Sequence, residues 1–461
     1  MQSPDTHTIR HIGNLSTYFP GATLLQLHHD NKASFPFLLE SVAHGTAQAR
    51  YNILFAYPKQ TLELSQQTVL LDGKPQAEHS FLTSLDRLWR DEAKDRITNI
   101  KLPFSGGWFV YLGYELAQEI EPTLQLPDSV DGLPVAFATR ITAAIIEDIE
   151  RQQYTLVAES EGELEQLTRA CDDALQQAQN LSAKQLAVRL TEEEPSKHHV
   201  IVEKAKQYII DGDIFQANLS RLWQGQLEQD SDSVELYQSL RKHNPAPFAG
   251  LAHYQGCDII SSSPERLVEV RDGQAQTRPI AGTRPRRPGD EDKLISDELM
   301  QHPKERAEHI MLIDLERNDL GRISKPGSVE VDELMVLESY AHVHHIVSNV
   351  KGTLRDDVTP ADIIRATFPG GTITGCPKVR CMEIIAELEE KGRGAYTGSM
   401  GYLNHNGDMD LNILIRTIVK QDKQLWLRAG GGIVVDSQPE AELNETRAKA
   451  RGLLHALGID A

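Results

Sequence analysis

Apolar positions along the chain follow two rhythms. Runs rich in β-branched and aromatic residues, such as ARYNILFAY, GGWFVYLGYEL and AFATRITAAIIEDI, alternate with loops in the first part of the chain and predict strands. The stretch ELEQLTRACDDALQQAQ spaces its apolar residues three and four apart and predicts a polar-faced helix. A charged, proline-containing segment, LTEEEPSKHH, follows and reads as a linker dividing the chain into regions 1–190 and 191–461. Beyond it the pattern predicts helices over Val202 to Ile210, Lys304 to Leu315, Pro360 to Ala366, Lys378 to Leu388 and Glu440 to Leu457. Strands outnumber them, and some are joined by hairpin-like turns such as HNGD at 405–408. Regular βαβ alternation is lacking, so the fold expected is α+β with antiparallel sheets.

Composition narrows the function. No apolar stretch in the 461 residues nears the roughly 18 needed to span a membrane, so a soluble chain with no membrane partner is expected. The opening MQSPDTHTIRHIG lacks a basic start followed by an apolar run, which predicts a cytoplasmic location. The 4 cysteines make neither a disulfide framework nor a zinc spacing. With 67 acidic against 47 basic residues the formal charge is −20, which disfavours nucleic acid as a partner. An anionic small molecule would need a locally cationic or metal-lined pocket.

Two distant segments share one carboxylate spacing: Glu305 with Glu308, and Glu442 with Glu445. Residues three apart lie on one helical face, so each pair can aim at one point. Two such faces meeting would hold a hard divalent cation, magnesium being the natural candidate; a solvated helix face carries the same pattern. Gly430, Gly431 and Gly432 read either as backbone approaching a ligand or as a tight turn or bulge. Gly282 and Thr283 could offer an amide and a hydroxyl. Arg416, in the strand-like ILIRT, calls for an anionic partner, either a substrate carboxylate or an internal salt bridge. Glu265, just after the strand-like DIISS, could act as a general acid. His345, in VHHIVS, reads by itself as a core histidine.

Together the strings SSSPERL, RPIAGTRPR, ERAEHIMLIDLERNDLGR, HVHHIVSNVKGTL, FPGGTITGCPKVRCMEIIAELE, YTGSMGYL and AGGGIVVDSQPEAELNETRAKA resemble the chorismate-utilising enzymes. That family includes anthranilate synthase component I, aminodeoxychorismate synthase component I, and the isochorismate and salicylate synthases. The resemblance implies two packed, mostly antiparallel β-sheets with helices outside and a site for chorismate and magnesium in the cleft between them. It implies that Glu308 and Glu445 ligate magnesium directly, with Glu305 and Glu442 supporting, and that Glu265 protonates the leaving C4 hydroxyl. It also places His345 near the reacting ring, makes Tyr396, Arg416, Gly431, Gly432 and Lys449 carboxylate-binding groups, and completes the cradle with Gly282 and Thr283.

Water-using members carry a lysine base where this chain has Gln216, and an amide cannot deprotonate water. Ammonia is therefore the expected nucleophile, supplied by a separate glutamine amidotransferase, since no G-x-C-x-G elbow occurs in the chain. FPGGTITG and GGWFVYLGYEL favour 4-amino-4-deoxychorismate, on the folate route, as product. Ala281 in PIAGT, where the folate branch often has lysine, points instead to anthranilate. Leu38, Leu39, Glu40 and Ser41 resemble a tryptophan-feedback motif, which makes region 1–190 a candidate tryptophan-binding region. A non-catalytic tryptophan- or chorismate-binding regulatory subunit and a structural metal protein are the rival readings.

Overall fold

The computed structural model describes residues 22–43, 50–93, 102–176, 187–286, 290–339 and 343–459. The opening MQSPDTHTIRHIG and the end of ELEQLTRACDDALQQAQ lie outside the described residues. Every strand pairing among the described residues is antiparallel, and the pairings join the strands into one continuous ribbon. One half contains the strands Val188–Glu192, Gln216–Leu227, Gln424–Ile433, Thr417–Gln421, Cys257–Ser263 and Phe248–Tyr254, each paired with the next. The middle is built by Phe37–Glu40, Tyr51–Ser65, Ala136–Asp148 and Gly107–Leu112. The other half continues through Ser399–Asn404, Met409–Asn412, Arg266–Arg271 and Gln274–Thr277 to Val343–Thr353. Val343–Thr353 also pairs with Ile280–Pro285 and with Glu330–Ser339.

The ribbon doubles over because its strands are apolar on both faces. All 13 residues of Ala136–Asp148 are buried. Since neighbours along a strand point to opposite faces, Ala144 and Ile146 enter an inner core with Phe37, Phe55, Phe109 and Tyr254. Ala143 and Ile145 enter an outer core beneath the helices Ala22–Asp30, Glu161–Gln176, Ser233–His243 and Pro439–Ala456. A second outer core lies beneath Phe81–Ala93, Pro303–Gly321 and Pro360–Thr367. The inner core is aromatic, with Phe37 stacked on Phe109 and Phe137 on Tyr254, each pair at 3.9 Å between centroids. Two packed antiparallel layers with helices outside are therefore present, as the halves of a single hydrogen-bonded ribbon.

Strands from both sides of residue 190 share these layers: Phe37–Glu40 pairs with Phe248–Tyr254, and Gly107–Leu112 with Ser399–Asn404. The segment read as a linker forms the edge strand Val188–Glu192 and the start of the helix Pro195–Ile210. That helix begins seven residues earlier than its apolar pattern suggests, because Pro195 sits in the first turn, where its missing N–H has no intrahelical partner to lose. The other expected helices occur as Pro303–Gly321, Pro360–Thr367, Lys378–Glu389 and Pro439–Ala456.

Candidate active site

The three glycines form neither a turn nor a bulge: they lie inside the strand Gln424–Ile433, where Gly430, Gly431 and Gly432 pair with Ser220, Leu219 and Asn218. A Cβ on Gly430 would stand 2.7 Å from the Tyr396 hydroxyl, and one on Gly432 would run into the Gln216 amide. On the opposite face a Cβ on Gly431 would lie 3.3 Å from Glu445 Oε1 and 3.4 Å from Glu442 Oε2. The glycines thus let side chains close on the strand from both faces. Gln216 fills the space behind Gly432, and its buried Oε1 has no hydrogen-bond partner among the described residues.

Lys449, one turn after Glu445 on the helix Pro439–Ala456, donates to the Gly430 carbonyl at 3.0 Å and lies 2.6 Å from Glu445 Oε1. Arg416 is not in a strand. The chain leaves the sheet at Ile413, whose N–H bonds the Glu265 carbonyl at 3.0 Å, and pairing resumes at Thr417. Arg416 takes a left-handed φ of 54° at this junction, a conformation a non-glycine residue holds at a cost of about 1–3 kcal/mol. Its guanidinium makes no hydrogen bond or ion pair with another described side chain, and burial pulls its pKa below the ordinary value while Tyr396, Glu445 and Glu265 oppose the shift.

Glu265 is held by its own loop, its N–H donating to Ser263 Oγ at 3.2 Å. Burial pushes its carboxyl up to about 7, against the Thr372 hydroxyl it faces and the charges of Lys449 and Arg416. Tyr396 is pushed up to about 12 by burial and stays a neutral donor.

The remaining expected residues lie at the far end of the ribbon. Gly282 has a left-handed φ of 63°, and a Cβ there would meet Leu299 at 2.8 Å and Glu305 Oε2 at 2.9 Å. His345 Nδ1 lies 3.3 Å from the Gly282 carbonyl, which can only accept, so the proton sits on Nδ1. Burial lowers His345 to about 4, keeping the ring neutral, and Arg416 is among the charges acting on it. Thr283 pairs with His345 through its backbone; its side chain lies outside the described residues. The helix carrying Glu305 and Glu308 is pinned to the His345 strand by buried His309, 2.6 Å from Ser348 Oγ. Glu305 is bound by Arg284 at 3.1 Å.

Glu305 borders Gly282, whose carbonyl lies 3.3 Å from His345 Nδ1, and the charge of Arg416 acts on both His345 and Glu265, so these residues from the two halves of the ribbon influence one another. Among the described residues, no three His, Cys, Asp or Glu side chains are gathered closely enough to hold a metal ion. The donor set itself is chemically that of a hard cation, two carboxylates from each of two helices, with Arg284 and Lys449 balancing Glu305 and Glu445.

Several groups at the site were not singled out from the sequence. Thr372 faces Glu265 from the turn Gly371–Ile373, and behind it lie Thr277, Glu316, Asp319 and Lys378. Thr372, Glu316 and Asp319 fall inside strings already noted, GTITG and LERNDLGR, and their polarity amid apolar neighbours was the available signal. A large cavity of about 840 Å³ lies elsewhere, between the layers, and contains none of the expected catalytic or metal residues. Leu39, Glu40 and Ser41 line it together with Pro247, Phe248 and Met400. Glu40 is fixed there by the Tyr237 hydroxyl at 2.7 Å.

The family of chorismate binding enzymes matches residues 37–455 of the chain. An anthranilate synthase component I-like protein of Synechocystis sp. is 44% identical over 388 residues, covering 83% of this chain and 79% of that protein. Aminodeoxychorismate synthase component 1 of Bacillus subtilis is 40% identical over 416 residues, 87% of this chain and 85% of that one. Anthranilate synthase component 1 of Acetivibrio thermocellus is 38% identical over 453 residues, 92% and 90% of the two chains. Among solved structures, anthranilate synthase component I from Streptococcus pneumoniae TIGR4 aligns with a TM-score of 0.79 and 32% identity, over 89% of this chain and 93% of that one.

Proposed function

The chain belongs to the chorismate binding enzyme family, and we propose that it is the synthase chain that aminates chorismate, with 4-amino-4-deoxychorismate as product and ammonia supplied by a glutamine amidotransferase partner. Its place among enzymes of the anthranilate or aminodeoxychorismate synthase component I type is shared by relatives named both ways. One observation carries the chemistry: a guanidinium that makes no ion pair with another described side chain, Arg416, within the electrostatic reach of a buried carboxyl raised to about 7, Glu265. Burying an unpaired cation is costly unless a ligand supplies the anion. A substrate carboxylate would do so bidentately, and Glu265, carrying its proton, would stand ready to protonate a departing hydroxyl.

The amination divides accordingly. Arg416, Lys449 and Tyr396 hold the carboxylates of chorismate, and neutral His345 packs against the ring without adding charge. The C4–oxygen bond breaks as Glu265 gives up its proton, water leaves, and the lone pair of ammonia forms the carbon–nitrogen bond. Gln216 cannot activate water, which favours ammonia as nucleophile. Magnesium would be held by Glu308 and Glu445 with Glu305 and Glu442 behind them, and when bound would offset the charge of a substrate carboxylate in an acidic molecule.

The second reading, anthranilate as product, is favoured by Ala281, a buried small residue where a lysine nucleophile would be needed for covalent attack. The purified chain with chorismate, magnesium and high ammonium at alkaline pH should consume chorismate without a partner, and glutamine should serve only when the amidotransferase is present. Anthranilate would reveal itself directly by fluorescence; 4-aminobenzoate appearing only after a lyase is added identifies aminodeoxychorismate. No consumption of chorismate under these conditions would refute the reading. The cavity beside Leu39, Glu40 and Ser41 is the place proposed for tryptophan, and a calorimetric titration lost on filling it with Ser41→Trp would support that assignment.

A further inference from the structure

Behind Glu265 lies a run of buried polar groups that binding and amination leave unused. Glu316 sits on the helix Pro303–Gly321, about three turns after Glu305 on the same face, and is 7% exposed. Its Oε1 lies 3.8 Å from the position a Cβ would take on Gly371, next to Thr372, which faces Glu265. Thr277 faces Glu316 in the same way, and Asp319, Lys378 and Glu265 are the charged groups around it. The Thr277 and Thr372 hydroxyls are both buried, and neither makes a hydrogen bond to another described group at ordinary distance and angle. Asp319, 3% exposed, accepts from Lys378 Nζ at 2.5 Å, with Arg322 and Asn318 also beside it. The Lys378 side chain is 17% exposed, so this end reaches the surface.

Resting on the amination reading, we propose that Glu316 returns a proton to Glu265 after each turnover, drawing it from solvent at the Asp319–Lys378 pair. The balance closes without a redox partner. Glu265 loses its proton to the leaving hydroxyl, which departs as water. The new carbon–ammonium group gives a proton to solvent on the substrate side. The Glu265 carboxylate then takes a proton from Glu316 through the Thr372 and Thr277 hydroxyls, each able both to accept and to donate. Glu316 is reloaded at its outer end. Burial, and then the Asp319 charge, hold Glu316 well above the usual carboxylate range, so it keeps a proton to give at neutral pH.

The test separates the first turnover from later ones. Glu316→Gln is isosteric with the protonated acid and leaves Glu265 loaded at the start. In stopped-flow absorbance with excess chorismate and ammonium, the variant should consume one equivalent per enzyme at the wild-type rate. It should then continue on the order of 10- to 100-fold more slowly, with KM unchanged. A wild-type steady rate, or first and later turnovers slowed alike, would overturn the relay, the latter marking Glu316 as structural. Wild-type enzyme that consumes no chorismate would bring down the amination reading instead. Should Glu316→Gln fail to fold by circular dichroism, Thr277→Val carries the same two-phase expectation.

Discussion

Lys449 Nζ stands 2.6 Å from Glu445 Oε1, so the carboxylate expected to bind magnesium is already paired with the cation expected to bind substrate. Both side chains are substantially exposed, at 32% and 47%. A pair so exposed contributes only about 0–1 kcal/mol to folding, which separates its chemistry from its structural weight. Glu445→Gln should therefore lower chorismate turnover by on the order of 100-fold or more while moving the thermal midpoint by only about 1–3 °C. A large fall in midpoint with activity per folded molecule retained would favour a structural metal protein, and full activity in the cell would favour a regulatory subunit.

Glu265 links activity to stability with opposite signs. Its carboxyl is raised from about 4.5 to about 7 on folding, so its contribution to stability is fully present below pH 4.5 and is lost as pH rises through 7. Glu265→Gln keeps the buried neutral shape at every pH. The variant should lose on the order of 100- to 10,000-fold in turnover yet be more stable than wild type at pH 8, by as much as roughly 3 kcal/mol. The gap should close by pH 4.5. Wild-type kcat should decline above about pH 7 as the acid deprotonates. Urea midpoints at the two pH values settle the matter, and a variant less stable than wild type at pH 8 would contradict the assignment of a buried, neutral acid.

The alternating and three-four apolar patterns were enough to read the layers and the long helices, because burial on one or both faces dominates those segments. Arg416 was misread as a strand residue for the same reason: its neighbours Ile413, Leu414 and Ile415 are apolar, and nothing in ILIRT signals that the chain leaves the sheet to bond Glu265 and Gly398. The paired glutamates were legible as helix faces, but where each face points depends on the ribbon doubling over, a property of the whole chain. The glycines at 430–432 were ambiguous because a close approach and a tight turn call for the same residue; only the positions of Tyr396, Gln216 and Glu445 decide between them. Glu316 and Asp319 were passed over because a carboxyl in a helix is normally solvated, and their burial comes from distant Gly371 and Lys378.

Arg416 should be destabilising to the free enzyme and indispensable to the bound one. Replacing it with methionine removes a partly buried charge that makes no ion pair with another described side chain and leaves an apolar side chain of similar length, so the thermal midpoint should hold or rise. Chorismate affinity should fall by on the order of 2–5 kcal/mol, since the substrate carboxylate loses its bidentate partner. Isothermal titration with chorismate in the absence of ammonia reads this directly. Unchanged affinity would mean that Arg416 pairs with protein groups on binding.

Gly282 offers a test of whether Glu305 supports the metal. Alanine there suffers twice: φ of 63° disfavours any Cβ by about 1–2 kcal/mol, and the new methyl would stand 2.9 Å from Glu305 Oε2 and 2.8 Å from Leu299. Gly212 supplies the control, with a φ of 83° and nothing within 4 Å of its would-be Cβ. Both alanine variants should therefore lose stability from the backbone, while Gly282→Ala alone should displace Glu305. Its magnesium requirement for half-maximal chorismate consumption should rise by on the order of tenfold, and that of Gly212→Ala should stay at the wild-type value. Equal magnesium dependence in the two variants, with Gly282→Ala still folded, would remove Glu305 from the metal's supporting shell and leave its bond to Arg284 as its whole role.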